Sequence, residues 1–305
     1  MRKYLFKILI FLALVAVADL LGGMFFRYWY ARIDTGAVGK EQYIVSQADE
    51  DLLIFGSSRA EFHYDPRILH DTLGMTCYNC GASGYGIILA YARLKMVTQR
   101  HRPQVIVLDV SRDFDIVKSD NNKIVGALKP YYQHEGIDSV VLSIDSTEKY
   151  KMLSQLYRFN SNLHHNPKAL FKDKPGKRKP DAALGYLAQK GEFDKMKVKQ
   201  QGGGLLDITE VDSLKLQYVE KFIDLAQGSH LFFVVSPIWY GMPSAEIKPI
   251  RDICQRRGVP IIDFSNDKKY VHNDSLFKDG KHLNQRGAET FSKDLAHMLR
   301  QTLQP

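Results

Sequence analysis

Cysteine is scarce in this chain. The 305 residues contain three, Cys77, Cys80 and Cys254. Three cannot all pair with one another, which excludes a fully bridged disulfide framework. Cys77 and Cys80 have CxxC spacing, but no second CxxC and no histidine pair completes a zinc set. All three read as small buried residues. Internal repeats are absent. A content of 45% hydrophobic and 25% charged residues excludes disorder over the bulk of the chain. Acidic residues are the minority, 34 against 42 basic ones, for a net charge of +8.

Only one long apolar run is present, and it lies at the N-terminus. Arg2, Lys3 and Lys7 precede and enter "YLFKILIFLALVAVADLLGGMFF", and from Ile8 to Phe26 the only charge is Asp19. A helix of about 20 such residues crosses a bilayer core. The basic end stays in the cytoplasm, so the rest of the chain is exported. Residues 1–30 are therefore predicted as a single-pass anchor, with residues 31–305 outside the cytoplasm. A cleaved signal peptide is the competing reading. The small residues "AVA" at 16–18 serve it, but the run continues through Leu20, Leu21, Met24 and Phe25. Arg27, Trp29 and Tyr30 read as an interfacial anchor. Asp19 reads as a residue tolerated near the far interface rather than a contact with a membrane partner. The basic excess of an exported domain fits anionic headgroups or an acidic glycan, not nucleic acid. Part of it lies in "FKDKPGKRKP", 171–180, which reads as a solvated loop.

Beyond the anchor, strand-like and helix-like stretches alternate. "DLLIF" is the first predicted strand. Asp65 caps a helix, Pro66 opens it and Gly74 stops it. "MTCYN" is a second strand, and "GYGIILAYARLKMVTQRHRP" a helix closed by Pro103. "QVIVLDV", 104–110, is a third strand. Residues 113–205 break the rhythm and read as an inserted helical and loop segment that includes "QQGGG" at 200–204. The rhythm returns with a helix capped by Asp212 and stopped by Gly228, the strand "HLFFVVSPIW", the helix "SAEIKPIRDICQRRG" and the strand "VPIIDF". A last helix follows, with Ala288, Phe291, Leu295, Met298 and Leu299 facing the core. Five strands in right-handed βαβ units predict a flavodoxin-like three-layer α/β/α sandwich on a five-stranded parallel sheet. In such sheets the site lies beyond the carboxyl ends of the strands.

The first strand ends in Gly56-Ser57-Ser58-Arg59, which places Ser58 on that edge. A serine needs a base to become a nucleophile, and the base needs an orienting acid. Of ten histidines, His282 has the fitting context: "DGKHLN" puts Asp279 three residues before it, ahead of the last helix. There a carboxylate reaches one ring nitrogen while the other faces outward. The bland readings are a helix cap for Ser58, an Asp-Gly turn for Asp279 and a surface histidine for His282. Ala60 stands where an α/β-hydrolase elbow has its second glycine. Ser83, Ser236, Trp239 and Tyr240 lie near the same edge; Ser83 and Trp239 are candidate substrate contacts. His134, His164 and His165 lack a carboxylate pattern and read as loop histidines. No cofactor or metal is expected.

These blocks resemble the SGNH (GDSL-type) hydrolases. Gly56-Ser57-Ser58 matches the nucleophile block, "NCGASGYG" the glycine block, and Asp279-Gly280-Lys281-His282 the last block. The resemblance covers most of residues 50–115 and 230–300. It implies Ser58 as nucleophile, Asp279 and His282 completing a triad, and the N–H groups of Ser58 and Gly84 as oxyanion donors. Ser57 replaces the usual aspartate. The third block carries Val110-Ser111-Arg112-Asp113 in place of Gly-x-Asn-Asp, so the asparagine donor is missing and Arg112 or Ser111 is left to replace it. Loss of one such donor costs about a hundredfold to a thousandfold in rate. The resemblance implies a serine esterase or O-acyltransferase acting on an acylated glycan or lipid-linked polymer. The competing function is a glycan-binding or assembly protein that keeps the fold without turnover.

Overall fold

The computed structural model describes residues 1–160, 183–191, 193 and 210–303. The stretches 171–180 and 200–204, with His164 and His165, lie outside the described residues.

In chain order the helices are α1 Arg2–Tyr30, α2 Gly36–Ser46, α3 Ser58–His63, α4 Pro66–Leu73, α5 Ile87–Thr98, α6 Arg112–Asp115, α7 Asn122–Leu128, α8 Ile137–Ile144, α9 Glu148–Lys151, α10 Ser213–Leu225, α11 Lys248–Arg257 and α12 Gln285–Leu303. The strands are β1 Leu52–Phe55, β2 Cys77–Asn79, β3 Val105–Asp109, β4 His230–Val235 and β5 Ile261–Asp263. They form one parallel sheet in the order β2-β1-β3-β4-β5, the flavodoxin-like order. Leu52 stands beside Cys77 on one side and Val105 on the other. Asp109 stands beside Val234.

Two compact units are present. One holds Ile44–Ser119 with the described part of Pro180–Pro305, and contains the sheet. Leu52, Leu53, Ile54 and Phe55 are all buried, because helices cover both faces of β1. On one face, Leu52, Ile54, Val105, Val107, Phe232 and Val234 pack with Leu69 of α4 and with Phe291, Leu295 and Leu299 of α12. On the other, Phe55 meets Phe222 of α10 edge to face at 5.8 Å. Caps fix the helices as expected. Asp65 accepts from the Arg67 N–H and Gly74 is left-handed; Asp212 accepts from the N–H groups of Leu214 and Lys215. Met298 is the exception. It is 41% exposed, because it sits at the margin of the stripe that Ala288, Phe291, Leu295 and Leu299 bury. The three cysteines are buried and unpaired.

The other unit holds Met1–Tyr43 with the described part of Asp120–Lys179. α1 is long and apolar enough to cross a membrane. Asp19 has a partner the sequence does not reveal: its own chain. Its carboxylate accepts from the Ser154 hydroxyl at 2.5 Å and from the N–H groups of Gln155 and Leu156 at 2.7 and 3.1 Å. Phe26 stacks on Phe159 and Tyr30 meets Tyr131 edge to face. His134 is packed against the Tyr131 ring.

Candidate active site

Local backbone chemistry puts Ser58 at the first position of α3. Gly56 lies at φ +140°, and a Cβ there would stand 2.6 Å from the Asp109 carbonyl oxygen. Only glycine lets β1 turn this sharply beside β3. Ser57 occupies the cap position without a side-chain cap bond. The loop after β2 closes on the same helix. Buried Asn79 donates to the carbonyls of Ala60 and Tyr64 and accepts from the Gly81 N–H.

The segment 278–284 is pinned residue by residue. Asp279 Oδ1 accepts from the N–H groups of Lys281 and His282 at 2.8 and 2.9 Å. Asn284 accepts from the Gly287 N–H and so caps α12. Between them, the Leu283 N–H donates to Nε2 of buried His63 at 3.0 Å. That bond fixes the His63 tautomer: Nε2 is the acceptor, so Nδ1–H donates to Ser236 Oγ at 3.2 Å. Burial holds His63 well below the ordinary histidine pKa, and the charges of His282 and Arg59 act in the same direction.

The result is a chain of three side chains. Ser58 Oγ lies 2.9 Å from His282 Nε2. His282 Nδ1 lies 3.0 and 3.1 Å from the two Asp279 oxygens. An ionised carboxylate only accepts, so Nδ1 carries the hydrogen and Nε2 is free to take the serine proton. Burial works to raise the Asp279 pKa, but the His282 hydrogen bond and charge and the two N–H donors outweigh it. The carboxyl is held below its ordinary range. Phe62 packs on the His282 ring at 5.3 Å.

Beneath the serine runs a buried network that no local pattern announces. Arg59 pairs with Asp109 at 3.3 Å and donates to the Val110 carbonyl. The Tyr64 hydroxyl donates to the same carboxylate at 2.6 Å. Asp109 and Tyr64 are 45 residues apart, and His63 and Leu283 are 220 apart. Only the folded sheet edge brings them together.

A cleft opens over Ser58 and His282. Its wall includes Arg59, Arg112, Asp113, Tyr240, Glu246 and Lys281. The three cations each have a carboxylate: Arg59 has Asp109, Arg112 has Glu210 at 2.9 Å and Lys281 has Asp113 at 2.7 Å. Glu246 is 9% exposed, and its pKa is raised by burial despite nearby Arg112 and Lys281. The Arg112 Nε–H is buried with no hydrogen-bond partner among the described residues.

The other expected site residues fall differently. Ser111 lines the cleft, but its hydroxyl and N–H both donate to Asp115, which also accepts from the Ile87 N–H. Burial pushes Asp115 up to about 6 against these donors. Gly84 is left-handed at φ +82° in the loop after β2 and is outside the cleft wall. Ser83 donates to the Glu61 carboxylate. Trp239 donates to Asp274 and stacks on Phe193, while its neighbour Tyr240 lines the cleft.

No family profile matches the chain, and neither does any curated protein. Solved structures to which the chain shows similarity include an acetyl xylan esterase (Est2A) from the rumen bacterium Butyrivibrio proteoclasticus, at 9% identity and TM-score 0.34 over 83% of this chain and 64% of that one. Another is a family two carbohydrate esterase from Clostridium thermocellum in complex with cellohexaose, at 12% identity and TM-score 0.35, over 84% and 66%. This chain spans just under two thirds of the length of either neighbour.

Proposed function

We propose that this protein is a membrane-anchored serine esterase or acyltransferase of the SGNH type, acting on O-acyl groups of a glycan. The observation that carries the proposal is the unbroken hydrogen-bonded line from Ser58 through His282 to Asp279 at the carboxyl edge of the sheet. Ser58 Oγ attacks the ester carbonyl carbon while His282 Nε2 takes its proton. Collapse of the tetrahedral intermediate breaks the bond to the sugar oxygen, which leaves with the proton from Nε2. Water, or the hydroxyl of a second acceptor, then releases the acyl group from Ser58 by the same steps. Asp279 keeps the imidazole in the required tautomer and stabilises the imidazolium.

The N–H of Ser58, which lines the cleft, would serve the oxyanion; Gly84, the other donor the resemblance implies, lies outside the cleft wall. The unpaired Arg112 Nε–H is the donor at hand where the resemblance has asparagine. Glu246 and Tyr240 supply hydrogen-bonding and stacking groups of the kind that sugar hydroxyls and ring faces need. The basic N-terminus and α1 support an anchor whose larger part lies outside the cytoplasm. Hydrolysis of p-nitrophenyl acetate by the wild type, abolished in Ser58→Ala, is the expected result. Turnover that survives the substitution sinks the assignment.

A second reading has one observation behind it. Ser111 donates to Asp115 and Arg112 pairs with Glu210 through Nη2, which leaves the third block only the buried Arg112 Nε–H where the resemblance has asparagine. A glycan-binding or assembly protein would need no such donor. Such a protein binds envelope glycans equally well as Ser58→Ala and forms no acyl-enzyme detectable by mass spectrometry.

A further inference from the structure

The geometry points to a second membrane contact, made by the exposed segment around Tyr150 and Leu153 next to Asp19; this rests on the reading of α1 as an anchor. One side of α1 is covered by its own chain from Asp19 onward. A Cβ at Gly23 would stand 2.1 Å from Gln155 Cβ, and one at Gly22 2.7 Å from Leu156 Cδ2. These glycines let residues 155–156 lie directly on the helix. The other side stays apolar and exposed through Leu20, Leu21, Met24, Phe25 and Tyr28.

The exposed apolar surface of α1 thus runs from Tyr4 to Tyr28, about 36 Å at 1.5 Å per residue. The hydrocarbon core is about 30 Å thick. Asp19 lies nine residues before Tyr28, so it falls inside the leaflet and not beyond it. A carboxylate at that depth needs donors from the protein. Ser154, Gln155 and Leu156 supply three. The loop that carries them must share its depth.

Leu153 directly precedes this loop and is 76% exposed; Tyr150, one turn earlier, is 67% exposed. Among the described residues outside α1, only Met1, Leu187 and Met298 join them as exposed large apolar side chains. Charge does not drive the contact. Lys151 is paired with Asp145 and Glu148, and Lys149 lies over the Tyr150 ring at 4.7 Å. The contact is apolar insertion and is insensitive to salt, unlike a polybasic patch.

The test uses the full chain in vesicles of phosphatidylcholine and phosphatidylglycerol. A single cysteine is placed by Leu153→Cys, and in a second variant by Ile10→Cys, and labelled with an environment-sensitive fluorophore. The three native cysteines are buried. Lipids brominated near the headgroup end of the acyl chain serve as quenchers. The expected result is blue-shifted emission at position 153, quenched severalfold and unchanged in high salt, with position 10 also reporting lipid. Water-like, unquenched emission at 153 with a lipid signal at 10 overturns the contact and leaves the anchor standing. Water-like emission at both overturns the anchor and the contact with it.

Discussion

Replacement of Asp279 by asparagine removes one charge and reverses one hydrogen bond. The asparagine amide can donate to Nδ1 of His282 in place of accepting from it. Nε2 then carries the hydrogen and cannot take the proton of Ser58. The expected outcome is a fall in kcat of about a thousandfold to ten-thousandfold with KM little changed, read on an aryl acetate. An unchanged kcat contradicts the assigned tautomer. The sequence exposed Ser58, Asp279 and His282 because each sits at a punctuation mark: a glycine after a strand, an Asp-Gly turn, a helix start. Arg59, His63, Tyr64, Asp109 and Glu246 carry no such mark. Their partners lie far along the chain, or in the cleft, and their chemistry exists only once the sheet edge is assembled. The expectation for Ser83 and Trp239 followed their place near the carboxyl edge of the sheet. Their side chains are taken by Glu61, and by Asp274 and Phe193, respectively.

Among the elements, α12 joins the core to the site. Its cap, Asn284, is two residues from His282, and Phe291 meets the rings of His63, Tyr64 and Phe264 at 6.4, 5.0 and 5.1 Å. Phe291 is fully buried. Phe291→Ala is expected to cost about 3–5 kcal/mol, from lost transfer energy and the cavity left behind. Denaturant unfolding checks it: the midpoint falls while the slope stays as in the wild type. A loss under about 1 kcal/mol contradicts the packing described. The elements were legible because caps and stops are local. Asp65, Gly74 and Asp212 fix helix ends by side-chain or left-handed geometry that single residues encode, whereas α10 ends at Leu225 with Ala226 as its cap, two residues before the Gly228 expected to stop it. The margin of a stripe is less local. Met298 has helical spacing from Phe291, yet it lies where the stripe meets solvent, and only the packed sheet shows where that margin falls.

Acid stability belongs to the whole molecule. The unfolded chain protonates His63 near the ordinary histidine value of about 6.5. The folded chain does so only well below it, because the ring is buried and its Nε2 already accepts from Leu283. Between those values the unfolded state holds the extra proton. Stability therefore rises with pH through this window and is lost on acidification below about 6.5, by up to about 1.4 kcal/mol per pH unit for one proton. His63→Phe removes this dependence and flattens that stretch of the curve. It also lowers stability at neutral pH, because the Leu283 N–H loses its acceptor, at a cost of about 1–3 kcal/mol. An equally steep acid loss in the variant excludes His63 as its source. The five-stranded parallel sheet was legible at this scale from alternation, while its strand order shows only in the fold. The partner of Asp19 was not: it lies some 135 residues away, in a stretch that reads as broken helical fragments.

The central claim is that Ser58 is a nucleophile activated by His282. The most direct measurement is the intact mass of the protein after treatment with a fluorophosphonate. The wild type gains one phosphonyl adduct, mapped to Ser58, and Ser58→Ala and His282→Ala gain none in the same time. Equal labelling of the wild type and Ser58→Ala, or an adduct mapped to another residue, contradicts the account.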